Sequence, residues 1–208
     1  MRTVMLSFAA VFCLASGLAM AASPARFADR VEAKGDTRER LQRAYDRLSR
    51  PPLGDLAFVL SDVTFQLKRR FTEYSGDVSG RMLGALTACD LVLGGESRMI
   101  PMLVAGFTAS QKPDGHFGAE QNLEQKVDQA LDMPILWGNG RMMLALAEFY
   151  RKQPNPDVLA MAKRLGEYAC MTRKYYGKKE NFENVGGTYS SGFTTCYPSM
   201  IDGLAAIG

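Results

Sequence analysis

The chain has 208 residues, of which 47% are hydrophobic and 23% are charged. This balance predicts a globular core and excludes an intrinsically disordered protein. Without Arg2, which lies in a predicted leader, Lys+Arg falls from 25 to 24 against 22 Asp+Glu, which leaves a net charge of +2. Because basic and acidic residues are also mixed along the chain, the sequence does not indicate nucleic acid as a partner.

The N-terminus has the pattern of a secretory signal peptide. Arg2 precedes an apolar run over residues 4–18, and Ala19 and Ala21 form a small-x-small cleavage site. A membrane anchor is the alternative, but the apolar run is short for a bilayer and ends in small residues. We therefore predict cleavage near Ala21, a secreted or periplasmic mature chain, and no membrane span after cleavage.

The cysteines support neither a disulfide framework nor a local zinc site. Cys89, Cys170 and Cys196 remain after the leader is removed, an odd number without CxxC or CxH spacing. Cys89 and Cys170 lie in apolar helical patterns, where buried free thiols are common. Whether one disulfide forms stays open.

The first predicted element is a surface helix over residues 36–50, with alternating charges and a narrow apolar stripe. Two prolines, Pro51 and Pro52, end it. Residues 55–71 stay open between helix and strand, because their spacing changes from helical to alternating. The later predicted helices cover residues 78–92, 96–110, 137–152, 158–172 and 199–207.

Three further features complete the predicted chain. Residues 119–132 are polar and indicate a surface loop, and residues 174–195 form a long connection, a kind of segment that is often functional. Asp157 is the expected cap of the helix over 158–172. The last predicted helix reaches Gly208 without a cap, so we expect the chain to be the first portion of something longer.

Helix follows helix in this chain, with no convincing sheet. The predicted class is all-α, built from helical hairpins, and a bundle, an α-solenoid and an α/α toroid all fit such a pattern. Repeated pairs of apolar helices joined by Gly/Pro turns favour the last two. After the leader, residues 22–54 are expected to be an N-terminal extension and residues 55–208 a helical-hairpin region.

One group of candidate site residues lies in the turn over residues 111–118, which follows an apolar helical run. His116 is the single histidine, and a lone histidine is more often structural, although an exposed turn raises the odds of a function. Asp114 is expected chiefly to close the turn through its own backbone. Gln111 fits a hydroxyl-rich ligand and a helix cap equally well.

The second group lies at the predicted start of the helix over 137–152. Trp137 is the single tryptophan and serves either as a core anchor or as a face that stacks on a sugar ring. Asn139 and Arg141 are polar at an apolar helix start, so each must be satisfied internally or face a cavity. Arg141 is a candidate partner of Asp132 or of a ligand hydroxyl.

Asp77 and Arg81 are the remaining candidates for substrate binding. Their spacing of four fits an ordinary helical ion pair or a part of the same rim. The sequence contains no Gly-x-Ser-x-Gly, no phosphate-binding glycine loop and no His/Cys metal spacing. It therefore predicts a pocket more strongly than it predicts a reaction, and its catalytic residues stay unknown.

Four segments together resemble the β-L-arabinofuranosidase group, glycoside hydrolase family 127 and its relatives. They are residues 75–81 (SGDVSGR), 110–118 (SQKPDGHFG), 137–141 (WGNGR) with the apolar helix that follows, and 196–198 (CYP). The likeness runs over roughly residues 75–208. The chain departs from the family in placing Arg141 and Met200 near positions where histidines often face the sugar.

The resemblance implies an (α/α)6 barrel, here its N-terminal part, with a carbohydrate substrate at one open end. It implies retaining cleavage of a terminal sugar from a plant-type glycan by a zinc-held cysteine and a glutamate. Those residues come later in the family order than this chain reaches, and Cys196 matches a helix-opening position instead. We therefore expect no cofactor in this segment. The alternatives are a non-catalytic carbohydrate-binding or interaction module and a toroid-fold polysaccharide lyase or epimerase.

Overall fold

A computed structural model describes residues 31–121, 129–176 and 201–205 of the chain. Regular structure in these ranges is α-helical, and they contain no strand. The helices are α1 Gly35–Leu48, α2 Leu56–Thr64, α3 Asp77–Leu93, α4 Met99–Ser110, α5 Gln129–Lys152 and α6 Pro156–Tyr176. Residues 201–205 are also helical. The predicted all-α class is confirmed.

The helices lie in two rows. α1, α3 and α5 contact one another in order, and α2, α4 and α6 form a second series of the same kind. α2 and α4 also contact α3, and α6 contacts α5, so the two rows pack against each other. Contact between alternate helices is typical of proteins built from stacked α-hairpins. These contacts define two rows of helices and do not define a closed ring.

Small residues bring α3 and α5 close together. A Cβ on Gly80 would lie 2.9 Å from Met142 Cα, whereas one on Gly84 would have Glu148 Oε2 as its nearest neighbour at 3.4 Å. The positions on α5 therefore advance in the same direction as those on α3, and the two helices run parallel. Their shared edge carries four of the predicted site residues.

The ambiguous segment over residues 55–71 begins as a helix. The Asp55 side chain accepts from the amides of Ala57 and Phe58 and caps α2 at its N-terminus. α2 ends at Phe65, which has a left-handed conformation (φ 56°). The alternating pattern of residues 63–67 therefore marks the end of a half-buried helix.

The predicted loop over residues 119–132 and the predicted helix start at Trp137 need correction. α5 begins at Gln129 and passes through Pro134 and both glycines of the WGNGR segment. Pro134 lies beyond the first turn of α5, so the helix loses one backbone hydrogen bond there and nevertheless continues. Gly138 is needed because a Cβ there would meet the backbone carbonyls of Tyr74 and Ser75.

Two local predictions at α6 are also corrected. α6 begins at Pro156, and its cap is Asn155, whose side chain accepts from the amides of Asp157 and Val158. Cys170 on the same helix is exposed, while Cys89 on α3 is buried, and both are free thiols. Burial and the neighbouring carboxylate of Asp90 raise the pKa of the Cys89 thiol.

A single apolar cluster connects both rows of helices. Its fully buried side chains include Leu83, Leu103, Phe107, Met142 and Leu165, and each has a relative exposure of 0%. Burying an aliphatic or aromatic side chain of this size contributes about 1.5–3 kcal/mol. The cluster fixes the helices that carry the polar connections, so the position of the candidate site depends on it.

Several predictions fall outside the described residues. They are the signal peptide over residues 1–21, the connection over 177–195, Cys196 and the helix-opening segment at 196–198. In the predicted helix over 199–207, residues 201–205 are described and helical. In the predicted N-terminal extension over 22–54, α1 packs on α3 and so joins the main body of helices.

Candidate functional site

The eight predicted site residues separate into two groups of different character. We call Gln111, Asp114, His116 and Asn139 the turn cluster, and Asp77, Arg81, Trp137 and Arg141 the edge cluster. The turn cluster lies in and beneath the connection between α4 and α5. The edge cluster lies along the line where α3 meets α5.

Asn139 fastens the turn to α5. Its Oδ1 accepts from the Phe117 amide at 2.8 Å, and its Nδ2 donates to the carbonyls of Ile135 at 2.8 Å and Phe117 at 3.0 Å. The residue is completely buried. Because both ends of the amide are occupied by backbone groups, Asn139 has a structural role and is not available to a ligand.

Gln111 performs the same task toward α6. Its Nε2 donates to the carbonyls of Gly115 at 2.8 Å and Met161 at 2.9 Å. Its Oε1 accepts from the guanidinium of Arg164. Of the two roles predicted for Gln111, the helix cap is confirmed, because Gln111 is the C-cap residue of α4 and its backbone amide donates to the Phe107 carbonyl. Its side chain makes no use of a ligand, since its hydrogen bonds tie the turn to the neighbouring helix.

His116 is held on both ring nitrogens. Nδ1 lies 2.5 Å from Asp114 Oδ1, and Nε2 lies 2.9 Å from the Ala119 carbonyl oxygen. The ring stacks on Tyr168 at a centroid distance of 4.9 Å, and His116 is 1% exposed. Both nitrogens therefore face acceptors inside the protein, an arrangement that speaks against His116 as a proton-transfer group for a substrate.

Asp114 acts largely as predicted, because its Oδ1 also accepts from the His116 amide and closes the turn. Tyr168 in turn donates from its hydroxyl to the side chain of Gln121. Burial, with the nearby carboxylates of Asp114 and Asp132, raises the pKa of Tyr168. A tyrosine with a raised pKa stays protonated at neutral pH and is therefore not available as a base, so His116 and Tyr168 do not favour lyase or epimerase chemistry.

The edge cluster is organised around one carboxylate. Asp77 Oδ1 accepts from Arg81 Nε at 2.9 Å and from Trp137 Nε1 at 2.8 Å. Asp77 and Arg81 come from α3, and Trp137 comes from α5, so these bonds join the two helices. Asp77 Oδ2 accepts no hydrogen bond from the described residues and remains an acceptor for a ligand hydroxyl.

Arg141 completes the cluster one turn along α5. Its guanidinium carbon lies 5.8 Å from the centroid of the Trp137 ring, a cation–π distance. Its Nε is buried and has no hydrogen-bond partner. No carboxylate of the described residues lies within ion-pair distance of Arg141, so the predicted pairing with Asp132 does not form there.

Asp62 on α2 supports the edge cluster from beneath. Its Oδ2 accepts from the amides of Val78 at 2.8 Å and Ser79 at 3.1 Å, which are in the first turn of α3. Asp62 is completely buried and lies 3.6 Å from Arg69 Nη2. Burial raises the pKa of Asp62, against the opposing effects of Ser79, Arg69 and Val78.

Sequence reasoning missed Asp62, Arg69 and Tyr168. The available signal was a charge within an apolar helical run, because Asp62 stands between Leu60 and Val63. A buried charge in such a place requires partners elsewhere in the fold. The partners of Asp62 come from α3 and the preceding loop, and helical spacing within α2 does not identify them.

A concave region also lies at the end of α1, away from both clusters. Its volume is about 440 Å³, and it is lined by Arg43, Asp46, Arg47, Arg50, Pro51, Pro52 and Leu53. Its arginines are exposed and lie on the helix face opposite Tyr45 and Leu48, which pack on the core. These features are those of a solvated surface at the end of α1 and do not indicate a ligand site.

The described residues contain neither a cluster of metal ligands nor a helix that could cross a membrane. Within residues 31–121, 129–176 and 201–205, no group of three or more His, Cys, Asp or Glu side chains is arranged to hold a metal ion. No helix in the same ranges has the length and apolar character needed to cross a membrane. The prediction of no membrane span is supported to that extent.

Comparison of the chain with protein-family models, with curated proteins and with solved structures found no match in any of the three.

Proposed function

We propose that this chain is the N-terminal part of an exported, all-α glycoside hydrolase that resembles the β-L-arabinofuranosidase group. In this proposal the terminal sugar of a plant-type glycan lies against the edge cluster. The observation that carries it is the meeting of Asp77, Trp137 and Arg141 at one edge, with a free carboxylate oxygen beside an aromatic ring and a guanidinium.

These groups match the chemistry of a sugar ring. A pyranose or furanose has apolar C–H faces, which stack on an indole, and hydroxyls, which need acceptors and donors. Trp137 is half-buried and tied through Nε1 to Asp77, so its ring orientation is fixed before a ligand arrives. Asp77 Oδ2 supplies an acceptor, and Arg141 supplies donors. A fixed site of this kind loses little conformational entropy on binding.

The helix arrangement supports the same proposal. α3 and α5 run parallel in one row, with α4 and α6 in the other, as in the hairpin layers of an (α/α)6 barrel. In such a barrel, the edge cluster and the turn cluster belong to the same end. The cysteine, the zinc and the glutamate that the resemblance implies belong to later parts of the family fold, so we assign this chain to sugar binding.

The experiment uses the single tryptophan as its own reporter. Plant oligosaccharides are titrated into the purified mature chain while Trp137 fluorescence is recorded, and released sugar is measured in parallel with aryl glycosides. We expect saturable quenching or enhancement with at least one oligosaccharide. We expect Arg141→Ala to weaken binding, and the matched control Arg173→Ala, on the exposed end of α6, to leave it unchanged.

A second candidate is a non-catalytic carbohydrate-binding module. The specific observation in its favour is that Asp77, the carboxylate of the edge cluster, already accepts two hydrogen bonds and has no second carboxylate beside it in the cluster. Binding without sugar release by the chain, and by any longer natural product of the same gene, would favour this candidate. No binding of any oligosaccharide would contradict both.

A further inference from the structure

We infer that the ligand of the edge cluster carries a carboxylate, which Arg141 binds, so that the sugar is a uronate and not a neutral sugar. This inference rests on the proposed function and specifies its substrate class. Three observations support it: the charge balance of the cluster, the environment of Arg141, and the contrast between Arg141 and Arg69.

The charge balance leaves one positive group without a partner. Asp77 and Arg81 compensate each other through a contact of 2.9 Å. The Arg141 guanidinium lies over the Trp137 ring, and no carboxylate of the described residues is within ion-pair distance of it. The cluster therefore presents a net charge of one positive unit to a ligand, which a singly charged carboxylate matches.

Arg69 shows how this protein treats an arginine with a purely structural role. Its Nε donates to the Phe58 carbonyl at 2.8 Å, and Nη1 donates to the Arg70 carbonyl at 2.8 Å. Nη2 approaches Asp62, and the side chain is 7% exposed. Every nitrogen of Arg69 that the fold removes from solvent is thus given an acceptor or an opposite charge.

Within the part of the chain that the structure describes, Arg141 has no partner of this kind. Its Nε is buried without an acceptor, yet the residue is only half-buried, so its guanidinium can still be reached. A buried donor without an acceptor is unfavourable, and so is a half-buried charge without a counterion. The uncompensated charge is relieved when a ligand carboxylate accepts from the guanidinium. A neutral hydroxyl supplies an acceptor but leaves the charge uncompensated.

The test compares two oligosaccharides that differ at C6 of each residue, which is a carboxylate in one and a hydroxymethyl group in the other. An oligogalacturonide and a neutral galacto-oligosaccharide of equal length are titrated into the mature chain at pH 7, with Trp137 fluorescence as the readout. We expect the acidic oligomer to bind at least about tenfold more tightly, as a charge-assisted hydrogen bond implies. We also expect added salt to reduce this preference.

Variants test whether the preference for the acidic oligomer depends on Arg141. Arg141→Gln should remove the tenfold preference, Arg141→Lys should retain part of it, and Arg173→Gln should leave it unchanged. Circular dichroism melting of each variant establishes that it is folded. Persistence of the preference in a folded Arg141→Gln protein would contradict the assignment.

The remaining outcomes separate this inference from the proposed function. Equal binding of the acidic and neutral oligomers overturns the inference and leaves the proposed sugar site standing. Tighter binding of the neutral oligomer does the same. Absence of binding for both oligomers, and for the neutral plant oligosaccharides tested above, overturns the sugar site and the inference with it.

Discussion

The turn cluster and the edge cluster use similar side chains for different ends. In the turn cluster, both ends of the Asn139 and Gln111 amides and both nitrogens of His116 have partners within the protein. In the edge cluster, Arg141 has a buried nitrogen without a partner, and one carboxylate oxygen of Asp77 accepts no hydrogen bond from the described residues. The first arrangement stabilises the fold, and the second leaves binding capacity unused.

This difference distinguishes a structural polar residue from a candidate ligand contact. Buried polar groups in native proteins almost always have hydrogen-bond partners, so an exception requires an explanation. Sites kept for ligands are often less stable than the fold could make them. Variants in the turn cluster should therefore lower stability, whereas variants of Arg141 should lower affinity with little loss of stability.

The largest expected effect is that of Asn139→Ala. Removal of this side chain leaves the Phe117 amide and several carbonyls buried without partners, so the free energy of unfolding should fall by roughly 3–5 kcal/mol. Urea unfolding followed by circular dichroism measures it. Asn155→Ala is the control, because it removes an asparagine that only caps α6, and should cost about 1 kcal/mol. Equal losses in the two variants would contradict the role given to Asn139.

A smaller effect is expected when the α3–α5 contact is opened. In Gly80→Ala the new Cβ would lie 2.9 Å from Met142 Cα, so the helices must separate. We expect a loss of about 1–3 kcal/mol in unfolding free energy, together with weaker sugar binding, because the edge cluster spans both helices.

Gly84→Ala is the matched control for this prediction, one turn further along α3. Its Cβ would have 3.4 Å to the end of the flexible Glu148 side chain. Because alanine also favours the helix, the variant should be unchanged or more stable by up to about 1 kcal/mol. If both glycine variants behaved alike in urea unfolding and in the fluorescence titration, the close approach would not be what positions the site.

The pH dependence of stability tests the support beneath the edge cluster. Burial raises the pKa of Asp62 above its ordinary value of 3.8, so the folded protein holds this proton more tightly than the unfolded chain. The stability that Asp62 contributes is then complete below pH 3.8 and declines as the pH rises through the higher folded value. The wild type should therefore lose stability relative to Asp62→Asn over this interval.

Urea unfolding of the two proteins at a series of pH values measures that difference. Asparagine retains an oxygen that can accept from the amides of Val78 and Ser79, so α3 should keep its first turn in the variant. If the unfolding free energy of the wild type instead rose with pH relative to Asp62→Asn, the stabilisation of the charged carboxylate by Arg69 and by the amides of Val78 and Ser79 would exceed the cost of its burial.

The smallest expected change in stability is that of Arg141→Met. This substitution removes the buried Nε and the uncompensated charge but keeps the length of the side chain. We expect the unfolding free energy to stay within about 0.5 kcal/mol of wild type or to rise by up to about 1 kcal/mol, while oligosaccharide affinity falls. Titration and urea unfolding of the same preparation measure both. A loss above 2 kcal/mol would assign Arg141 to the fold.

Much of the fold followed from local patterns. The helical spacing of apolar residues predicted α1, α3 and α4 and most of α6, because each packs one apolar face on the same core, α1 only through the half-buried Tyr45 and Leu48. α5 was predicted too short, since Pro134 and the glycines around Asn139 are helix breakers in isolation. Gly138 is required here because the backbone of Tyr74 and Ser75 packs directly on it.

The candidate site was predicted as a set of residue types, but its division into two groups was not. Sequence could not distinguish the structural Asn139 from Arg141, two residues later on the same helix, to which we assign a binding role only as a proposal. That distinction depends on which backbone carbonyls, amides and carboxylates the fold brings within hydrogen-bond distance. The partners of Asn139 lie up to 64 residues away in sequence, beyond the reach of any local pattern.

The sequence by itself determined the all-α class, most helix positions and the eight candidate site residues. It could do so because helical periodicity and turn chemistry are local properties. Only the tertiary structure decided that Asn139, Gln111 and His116 serve the fold, while Asp77, Trp137 and Arg141 meet with unused donors and acceptors. The physical reason is that a polar group is satisfied or left open by its neighbours in space, and those neighbours come from other helices.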